Sequence, residues 1–218
     1  MISKDDLVIA GGVLTVTAKG DGLQGKDCVK LGKGTITVTA GADGVKATNS
    51  EDSTKGFISL DGASLSIIAE TDGLQAETVL RATGGDITLS TGGGSQNAST
   101  DQQGNQRPEW GNWGGGFQGQ QTPSSSEQPS AKGLKAGGEV LLEGGTFTID
   151  SSDDSIHSNG NVTLSGGSFA ICSGDDGIHA DSSISISGGE ITITKSYEGV
   201  EGNAIEISGG TLQITAND

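Results

Sequence analysis

The sequence repeats itself with a period of 22 residues, and this period limits the folds open to the chain more than any other feature. The clearest marker is an Asp-Gly dipeptide or a close variant, and four of the six intervals between markers are 22 residues long. The second residue of the marker falls at Gly22, Gly44, Gly73, Gly133, Ser155, Gly177 and Gly199. A fixed period of this length indicates a repeat architecture, in which each unit packs against its neighbours.

Within each repeat, apolar residues alternate with polar ones on both sides of a glycine-rich corner. Residues 184–193, with the corner Gly188-Gly189, are typical, and the same arrangement occurs eight times in the chain. Alternation with period two and many β-branched residues predicts short strands that turn one face to a core. The paired glycines allow the positive φ of a sharp corner.

A unit of 22 residues with three short strands cannot bury its apolar face alone, but stacked units form three parallel sheets around one aliphatic core. We therefore predict an all-β fold, a right-handed parallel β-helix (solenoid) of about eight 22-residue coils. The right hand is chosen because parallel crossover connections nearly always have it. In this prediction residues 1–218 form a single β-helix domain, with a Gly/Gln/Ser-rich loop inserted at 92–130.

Two repeats are longer than the others. The first has seven surplus residues in the polar stretch 49–56, which ends at Phe57. The second contains the insertion at 92–130, which includes Trp110 and Trp113. The composition of the insertion indicates a flexible loop. The alternative is that its two tryptophans provide a mobile stacking surface for sugar rings.

The formal net charge of -16 makes nucleic acid and anionic membrane surfaces poor partners and cations natural ones. No apolar run reaches 18 residues, so no membrane insertion is predicted. The first residues lack the basic and apolar segments of a signal peptide, and of a cytosolic protein or a piece of a longer chain we favour the piece. Cys28 and Cys172 lie at different points of the repeat, too far apart for a disulfide, and are predicted to be unpaired.

Acidic residues precede the marker glycine in most repeats, so stacking predicts a ladder of carboxylates about 5 Å apart. Asp21, Asp43 and Asp72 stand alone. Either a metal explains them, or a turn in which Asp bonds its own backbone and Gly takes a left-handed conformation.

The doubled acids are a different case, because they concentrate four carboxyl groups on two adjacent coils. They are Asp153 and Asp154 in one repeat and Asp175 and Asp176 in the next, and the acids close to them in register are Asp181, Glu198 and Glu201. A cluster of carboxylate oxygens suits calcium, which tolerates irregular geometry better than magnesium does. We therefore expect a calcium site here.

Two histidines, His157 and His179, occupy the same outward position on adjacent coils. We predict a stacked pair that packs rather than ligates, because no cysteine joins them to complete a zinc site. No Gly-x-Ser-x-Gly motif leads from a strand into a helix, so a hydrolase triad is not expected.

Three segments carry a resemblance to a known family: 153–167, 174–181 and 196–202. They resemble a family of secreted bacterial carbohydrate-binding proteins, once classed as a domain of unknown function and similar in fold to pectate lyases. The resemblance extends over nearly the whole chain. It implies a right-handed β-helix, outside the cell or at its surface, that binds calcium and acidic or cellulosic plant polysaccharides without established cleavage.

Carried over from the resemblance, the metal role falls on Asp153, Asp154, Asp175 and Asp176, and then on Asp181, Glu198 and Glu201. The sequence departs from the family pattern at Lys132, where a lysine replaces the acid before the marker glycine. We therefore expect no metal at that coil and a ladder divided into two groups.

The sequence leaves three functions open. The first is a binding module whose calcium ions bridge to uronate carboxylates, with His157, His179, Tyr197, Lys195, Trp110 and Trp113 as carbohydrate-binding residues. The second is a structural or adhesin rod that calcium staples together. The third is a pectate-lyase-like β-elimination of uronans, which needs a cation and a base, with Lys195 as the candidate base. The binding module is the preferred reading, and the oligomeric state is left open.

Overall fold

The computed structural model describes residues 1–98 and 130–217, and within these ranges it contains twenty β-strands, one 3₁₀ turn at Ser95–Asn97 and no α-helix. The strands before the insertion are β1 (Ile2–Ser3), β2 (Asp6–Ile9), β3 (Val13–Ala18), β4 (Leu23–Gly25), β5 (Cys28–Leu31), β6 (Gly34–Ala40), β7 (Val45–Ala47), β8 (Phe57–Ala69), β9 (Leu74–Ala76) and β10 (Val79–Thr91). The strands after it are β11 (Leu134–Ala136), β12 (Glu139–Leu142), β13 (Thr146–Ser151), β14 (Ile156–Ser158), β15 (Asn161–Leu164), β16 (Ser168–Ser173), β17 (Ile178–Ile186), β18 (Glu190–Lys195), β19 (Val200–Ile207) and β20 (Thr211–Ile214).

Each strand pairs in parallel with the equivalent strand of the next repeat, which gives three ladders. The first ladder is β1, β4, β7, β9, β11, β14, β17 and β19. The second is β2, β5, β8, β10, β12, β15, β17 and β19. The third is β3, β6, β8, β10, β13, β16, β18 and β20. The pairings join all twenty strands into one large sheet, which confirms the prediction of an all-β, parallel fold.

The register places equivalent residues of successive repeats opposite each other, as with Ile156 and Ile178. Their inward side chains form one aliphatic core that extends from Leu7 to Ile193. Phe147 and Phe169 lie in this core at equivalent positions, and their rings stack with centroids 4.9 Å apart and an interplanar angle of 10°. The 22-residue period of the sequence therefore places like residues in contact with each other.

The corner glycines behave as the sequence predicts, but the marker glycines do not. Gly167 and Gly189, the second glycines of two corners, have φ of 102° and 95°. The marker glycines Gly22, Gly44 and Gly177 have no positive φ, which rules out the left-handed turn, one of the two alternatives left open for Asp21 and Asp43. The reason for glycine is steric: a Cβ at any of these three would lie 2.6 Å from the carbonyl oxygen of the marker glycine one repeat later.

Adding one methyl group to a marker glycine should therefore destabilise the stack. In Gly44→Ala the new Cβ meets Ile67 Cγ2 at 2.4 Å and the carbonyl oxygen of Gly73 at 2.6 Å. We expect the free energy of unfolding, measured by urea denaturation, to fall by about 1–3 kcal/mol. The matched control is Gly20→Ala, where a Cβ meets nothing within 4 Å and φ is not positive. Equal stability of the two variants would contradict the steric explanation.

Two further predictions concern the cysteines and membrane insertion. Both cysteines are free, as predicted, with Cys28 buried and Cys172 partly exposed. Within the described residues, no helix has the length and apolar character needed to cross a membrane.

Candidate functional site

The acid before the marker glycine bonds to the next repeat rather than to its own turn. Asp43 Oδ1 accepts the backbone N–H of Asp72 at 3.1 Å, and Asp154 Oδ1 accepts that of Asp176 at 3.0 Å. The same bond runs from Asp43 N–H to Asp21, from Lys132 N–H to Asp72 and from Glu198 N–H to Asp176. Each of these carboxylates therefore links two repeats through one oxygen, and those of Asp43, Asp72, Asp154 and Asp176 bond a side chain with the other.

Lysines pair with the acids of the ladder from Asp43 to Asp154. Lys46 Nζ lies 2.6 Å from Asp43, and Lys135 Nζ lies 2.9 Å from Asp72. Lys132 Nζ lies 2.7 Å from both Asp153 and Asp154. The structure brings Asp21, Asp43 and Asp72 into none of the clusters of metal-ligating atoms found in the described residues. The lysine at 132 is thus a direct counterion of the doubled acids, a role that the sequence analysis did not assign.

The remaining acids of the ladder meet in an open cavity of about 410 Å³ near the end of the described chain. Its lining combines one lysine, two histidines, one tyrosine and five acids: Lys132, His157, His179, Tyr197, Asp154, Asp175, Asp176, Glu198 and Glu201. Most of the metal and sugar ligands predicted around the doubled acids are therefore brought together. Asp153 and Asp181 lie at its edge, bonded to Lys132 and His179.

The two histidines stack, as predicted, with ring centroids 4.9 Å apart and an interplanar angle of 22°. His157 Nδ1 lies 2.8 Å from Asp154 Oδ2, and His179 Nδ1 lies 3.0 Å from Asp176 Oδ2. Ring nitrogens bind metals in the plane of the ring, and the two ring planes here are nearly parallel, one above the other. This arrangement favours a stacked pair, each ring held by the acid three residues before it, over a pair that shares one metal ion.

His179 is surrounded by more negative charge than His157. Its Nδ1 also lies 3.0 Å from Glu201, and its Nε2 lies 3.2 Å from Asp181, where His157 Nε2 meets the neutral Asn159. Burial alone would lower the pKa of His179, but the hydrogen bond to Asp176 and the nearby carboxylates outweigh it and raise that pKa. The surroundings of His179 therefore favour its protonated form.

The doubled acids differ in how well their charge is compensated. Burial would raise the pKa of Asp154, but His157 and Lys132 overcome this and lower it to about 2. Burial and the charges of Asp154 and Asp153 raise the pKa of Asp175 to about 6. Burial and the neighbouring Glu201 raise that of Asp176 to about 8. Asp153 and Asp154 thus share a lysine counterion, whereas Asp176 meets only the imidazole of His179 and Asp175 is in none of the ion pairs of the described residues.

The donor atoms of this region fit a hard cation. One oxygen each of Asp153, Asp154 and Asp175 lies within 4.8 Å of the others, and two more groups of the same size are formed by ligand atoms of Asp176, His179 and Glu201 and of Asp154, His157 and His179. Carboxylate oxygens in irregular arrangements are typical calcium ligands. Because Lys132 already occupies Asp153 and Asp154, the Asp175 and Asp176 side of the cavity is the better match.

The raised pKa values predict an unusual pH dependence for the protein without divalent cations. Asp175 and Asp176 have folded pKa values above their ordinary 3.8, so between about pH 4 and pH 8 the folded state binds more protons than the unfolded state. Stability should therefore fall as the pH rises through this window. The raised pKa of His179 acts in the same direction, and Asp154 loses its contribution only at much lower pH.

Thermal melting in chelator should thus give a higher Tm at pH 5 than at pH 8, with a difference of several degrees. The variant Asp175→Asn/Asp176→Asn should show a much smaller difference, because the two groups with raised pKa values are gone. A parent protein that is equally or more stable at pH 8 would show that the cavity acids are compensated by other means.

One family model matches most of the chain. A family model described as "Carbohydrate-binding domain-containing protein" matches residues 1–177. The chain belongs to this family. The match covers every repeat up to Asp175 and Asp176, and the family name indicates a binding role with a carbohydrate as partner. No curated protein and no solved structure matched this carbohydrate-binding domain.

The other predicted sugar ligands have different outcomes. Tyr197 lines the cavity of the carbohydrate-binding domain, and its backbone N–H donates to the carbonyl oxygen of Asp175 at 2.7 Å. Lys195 does not line the cavity; its Nζ donates to the backbone carbonyl of Ser95, at the start of the insertion. Trp110 and Trp113 lie outside the described residues. The lysine at the cavity is therefore Lys132, with Nζ close to two acids.

Proposed function

We propose that this carbohydrate-binding domain is a non-catalytic module that binds plant cell-wall polysaccharide in a calcium-dependent manner. The observation that carries the proposal is the acid pair Asp175 and Asp176, which no lysine of the described residues neutralises and whose pKa values are raised inside an open cavity. A buried carboxylate that is hard to ionise is stabilised by a nearby cation. The family supplies the carbohydrate.

The residues that would hold the ion are Asp175 and Asp176, with Glu198 and Glu201 beside them in the cavity. Bound calcium would supply positive charge that the carboxylates of the protein and of an acidic polysaccharide can share. The chain's own residues do the rest. Asp176 orients His179 through a hydrogen bond of 3.0 Å, and Lys132 keeps Asp153 and Asp154 neutralised.

An acidic, polygalacturonate-like polymer suits this cavity better than a neutral cellulosic one. A neutral chain offers the metal ion only hydroxyl oxygens, whereas each uronate unit brings a charged carboxylate. His157, His179 and Tyr197 provide hydrogen-bonding groups and ring surfaces for the sugar next to the acids. Asp181, which lies at the edge of the cavity, completes the acidic rim through its contact with His179.

Binding is favoured over β-elimination of the uronan, because the nearby lysines are poor bases. Burial would lower the pKa of Lys132, but Asp154 and Asp153 outweigh it and raise that pKa, so the ammonium stays charged. Lys195 is held by the carbonyl of Ser95. A general base must be able to accept a proton near the working pH.

The proposal includes a rod-like form for the whole chain as a single domain. In-register pairing between successive repeats in all three ladders supports a right-handed parallel β-helix of about eight coils. Calcium between neighbouring coils would then also staple them together, which is the structural alternative. A protein with this function would work outside the cell or at its surface, where plant polysaccharides are found.

Retention on polygalacturonate separates these functions. We expect the protein to bind the polymer in calcium and to be released by chelator, without new ultraviolet absorbance from unsaturated chain ends. Equal retention in calcium and in chelator would contradict calcium-dependent binding. An increase in absorbance would instead support the lyase, and calcium-dependent stability without any retention would support the structural rod.

A further inference from the structure

We propose that a groove on the outer face of β8 and β10 is a second saccharide site, which binds a uronate unit directly through Arg81 and Lys30 and without calcium. The groove measures about 330 Å³ and is lined by Phe57, Ser59, Val79 and Arg81 together with the hydroxyl groups of the stretch 49–56. The choice of a uronate as ligand rests on the proposed function, whereas the site itself uses different residues.

One wall of the groove is formed by the surplus residues of the longer repeat, and this wall is firmly built. Asn49 is buried, donates to Asp27 Oδ1 at 2.7 Å and accepts the backbone N–H groups of Glu51 and Asp52, both at 3.1 Å. Lys55 Nζ lies 2.8 Å from Asp27. The buried amide of Asn49 therefore orders the stretch that interrupts the 22-residue period, and this stretch can support a binding surface.

The base of the groove offers an apolar surface beside hydroxyl groups. Phe57 and Val79 are half-buried, so each keeps part of its side chain at the surface. Ser59 pairs in register with Lys30 on one side and with Arg81 on the other. A pyranose ring has an apolar face and a rim of hydroxyl groups, and an aromatic residue beside polar groups matches both.

The two cations have unused binding capacity. Arg81 is half-exposed, and its Nε and Nη2 lie 2.7 Å and 2.5 Å from the same oxygen, Glu143 Oε2, which leaves its other N–H groups for a ligand. Lys30 Nζ lies 5.3 Å from the centroid of Phe57, and no carboxylate of the described residues is within 4.0 Å of it. Arg81 lines the groove and Lys30 lies beside it, against Phe57, so both cations can meet a carboxylate that arrives with the sugar.

The charge of the chain supports an anionic ligand at this end. Residues 1–60 contain seven lysines and seven acids, so the whole net charge of -16 comes from the rest of the chain. An acidic polymer is repelled along the later repeats unless cations intervene, but the groove offers it the remaining N–H groups of Arg81, with Lys30 beside them. Charge-assisted hydrogen bonds from guanidinium to carboxylate are among the stronger ones in proteins.

The test is calorimetric titration of the full chain with trigalacturonate in chelator, with a neutral cello-oligosaccharide of the same length as the comparison. We expect weak binding of the acidic sugar that falls with added salt, and no binding of the neutral one. Arg81→Gln should weaken binding by about tenfold or more. Glu143→Gln, which breaks the same ion pair but keeps the cation, should bind as well as the parent or better.

Several results would overturn the site. These are no binding of trigalacturonate in chelator, equal binding of the neutral sugar, or equal losses in Arg81→Gln and Glu143→Gln. The variant Asp175→Asn/Asp176→Asn keeps the groove and should retain this binding. If this variant also retains all calcium-dependent binding of the polymer, the proposed function fails and the groove stands. If the parent binds the polymer in calcium but does not bind trigalacturonate in chelator, the groove fails and the proposed function stands.

Discussion

Replacing Asp175 and Asp176 together with asparagine is expected to weaken calcium binding by about a hundredfold or more. Asparagine keeps the shape and one carbonyl oxygen of each side chain, so Asp176→Asn can still accept the backbone N–H of Glu198. What the double variant loses is two carboxyl groups, whose pKa values are raised in the cavity. The change therefore removes the proposed cation site and keeps the link between repeats.

The same variant should respond to calcium differently in a melting experiment. Without calcium it should be at least as stable as the parent at pH 8, because the repulsion among the cavity acids is reduced. With calcium the parent gains stability by mass action, and the variant does not. The matched control is Asp86→Asn/Glu190→Gln, which removes two exposed acids elsewhere on the chain. A double variant that binds calcium as tightly as this control would place the ion outside the cavity.

Truncation of Phe147 is expected to give the largest loss of stability from a single substitution. Phe147 is fully buried, and its ring stacks on that of Phe169 with centroids 4.9 Å apart. Phe147→Ala removes both the burial and the stack and leaves a cavity, so the free energy of unfolding should fall by about 3–5 kcal/mol. Urea denaturation measures this directly.

The control for the core is Val13→Ala, at a position that is 85% exposed, where we expect a change within about 0.5 kcal/mol. Calcium affinity offers a second measurement on Phe147→Ala. As long as the variant is folded, its affinity should stay close to that of the parent, because the ring does not line the cavity. A loss below about 1 kcal/mol would contradict the close packing of like residues in the core.

The period of the sequence was enough to predict the parallel pairing and the inward rows, because register in stacked repeats is fixed by identical spacing. Ile156 meets Ile178, and His157 meets His179, since each pair is separated by one period. The cavity acids followed from the same reasoning: Asp175 and Asp176 repeat Asp153 and Asp154 one unit later. The stacked histidines were predicted for this reason too.

Other features could not be predicted from spacing, because they depend on contacts between repeats. A left-handed turn was one of two alternatives for the repeat of Gly44, whereas the carbonyl oxygen one repeat later is what excludes a side chain there. Lys132 was recognised only as a departure from the acid pattern. Its contact with both Asp153 and Asp154 depends on where the three side chains lie in the folded protein, which the spacing does not give. Asn159, which holds His157 Nε2, carried no signal in the sequence.

The measurement that tests the central claim most directly is a crystal structure of the full chain grown with calcium at pH 8. The account predicts an ion in the cavity, within about 2.3–2.6 Å of carboxylate oxygens from Asp175 or Asp176. It also predicts that Lys132 remains bound to Asp153 and Asp154. A cavity that stays free of calcium, with Asp175 and Asp176 unchanged, would contradict it, as would an ion bound only at Asp21, Asp43 or Asp72.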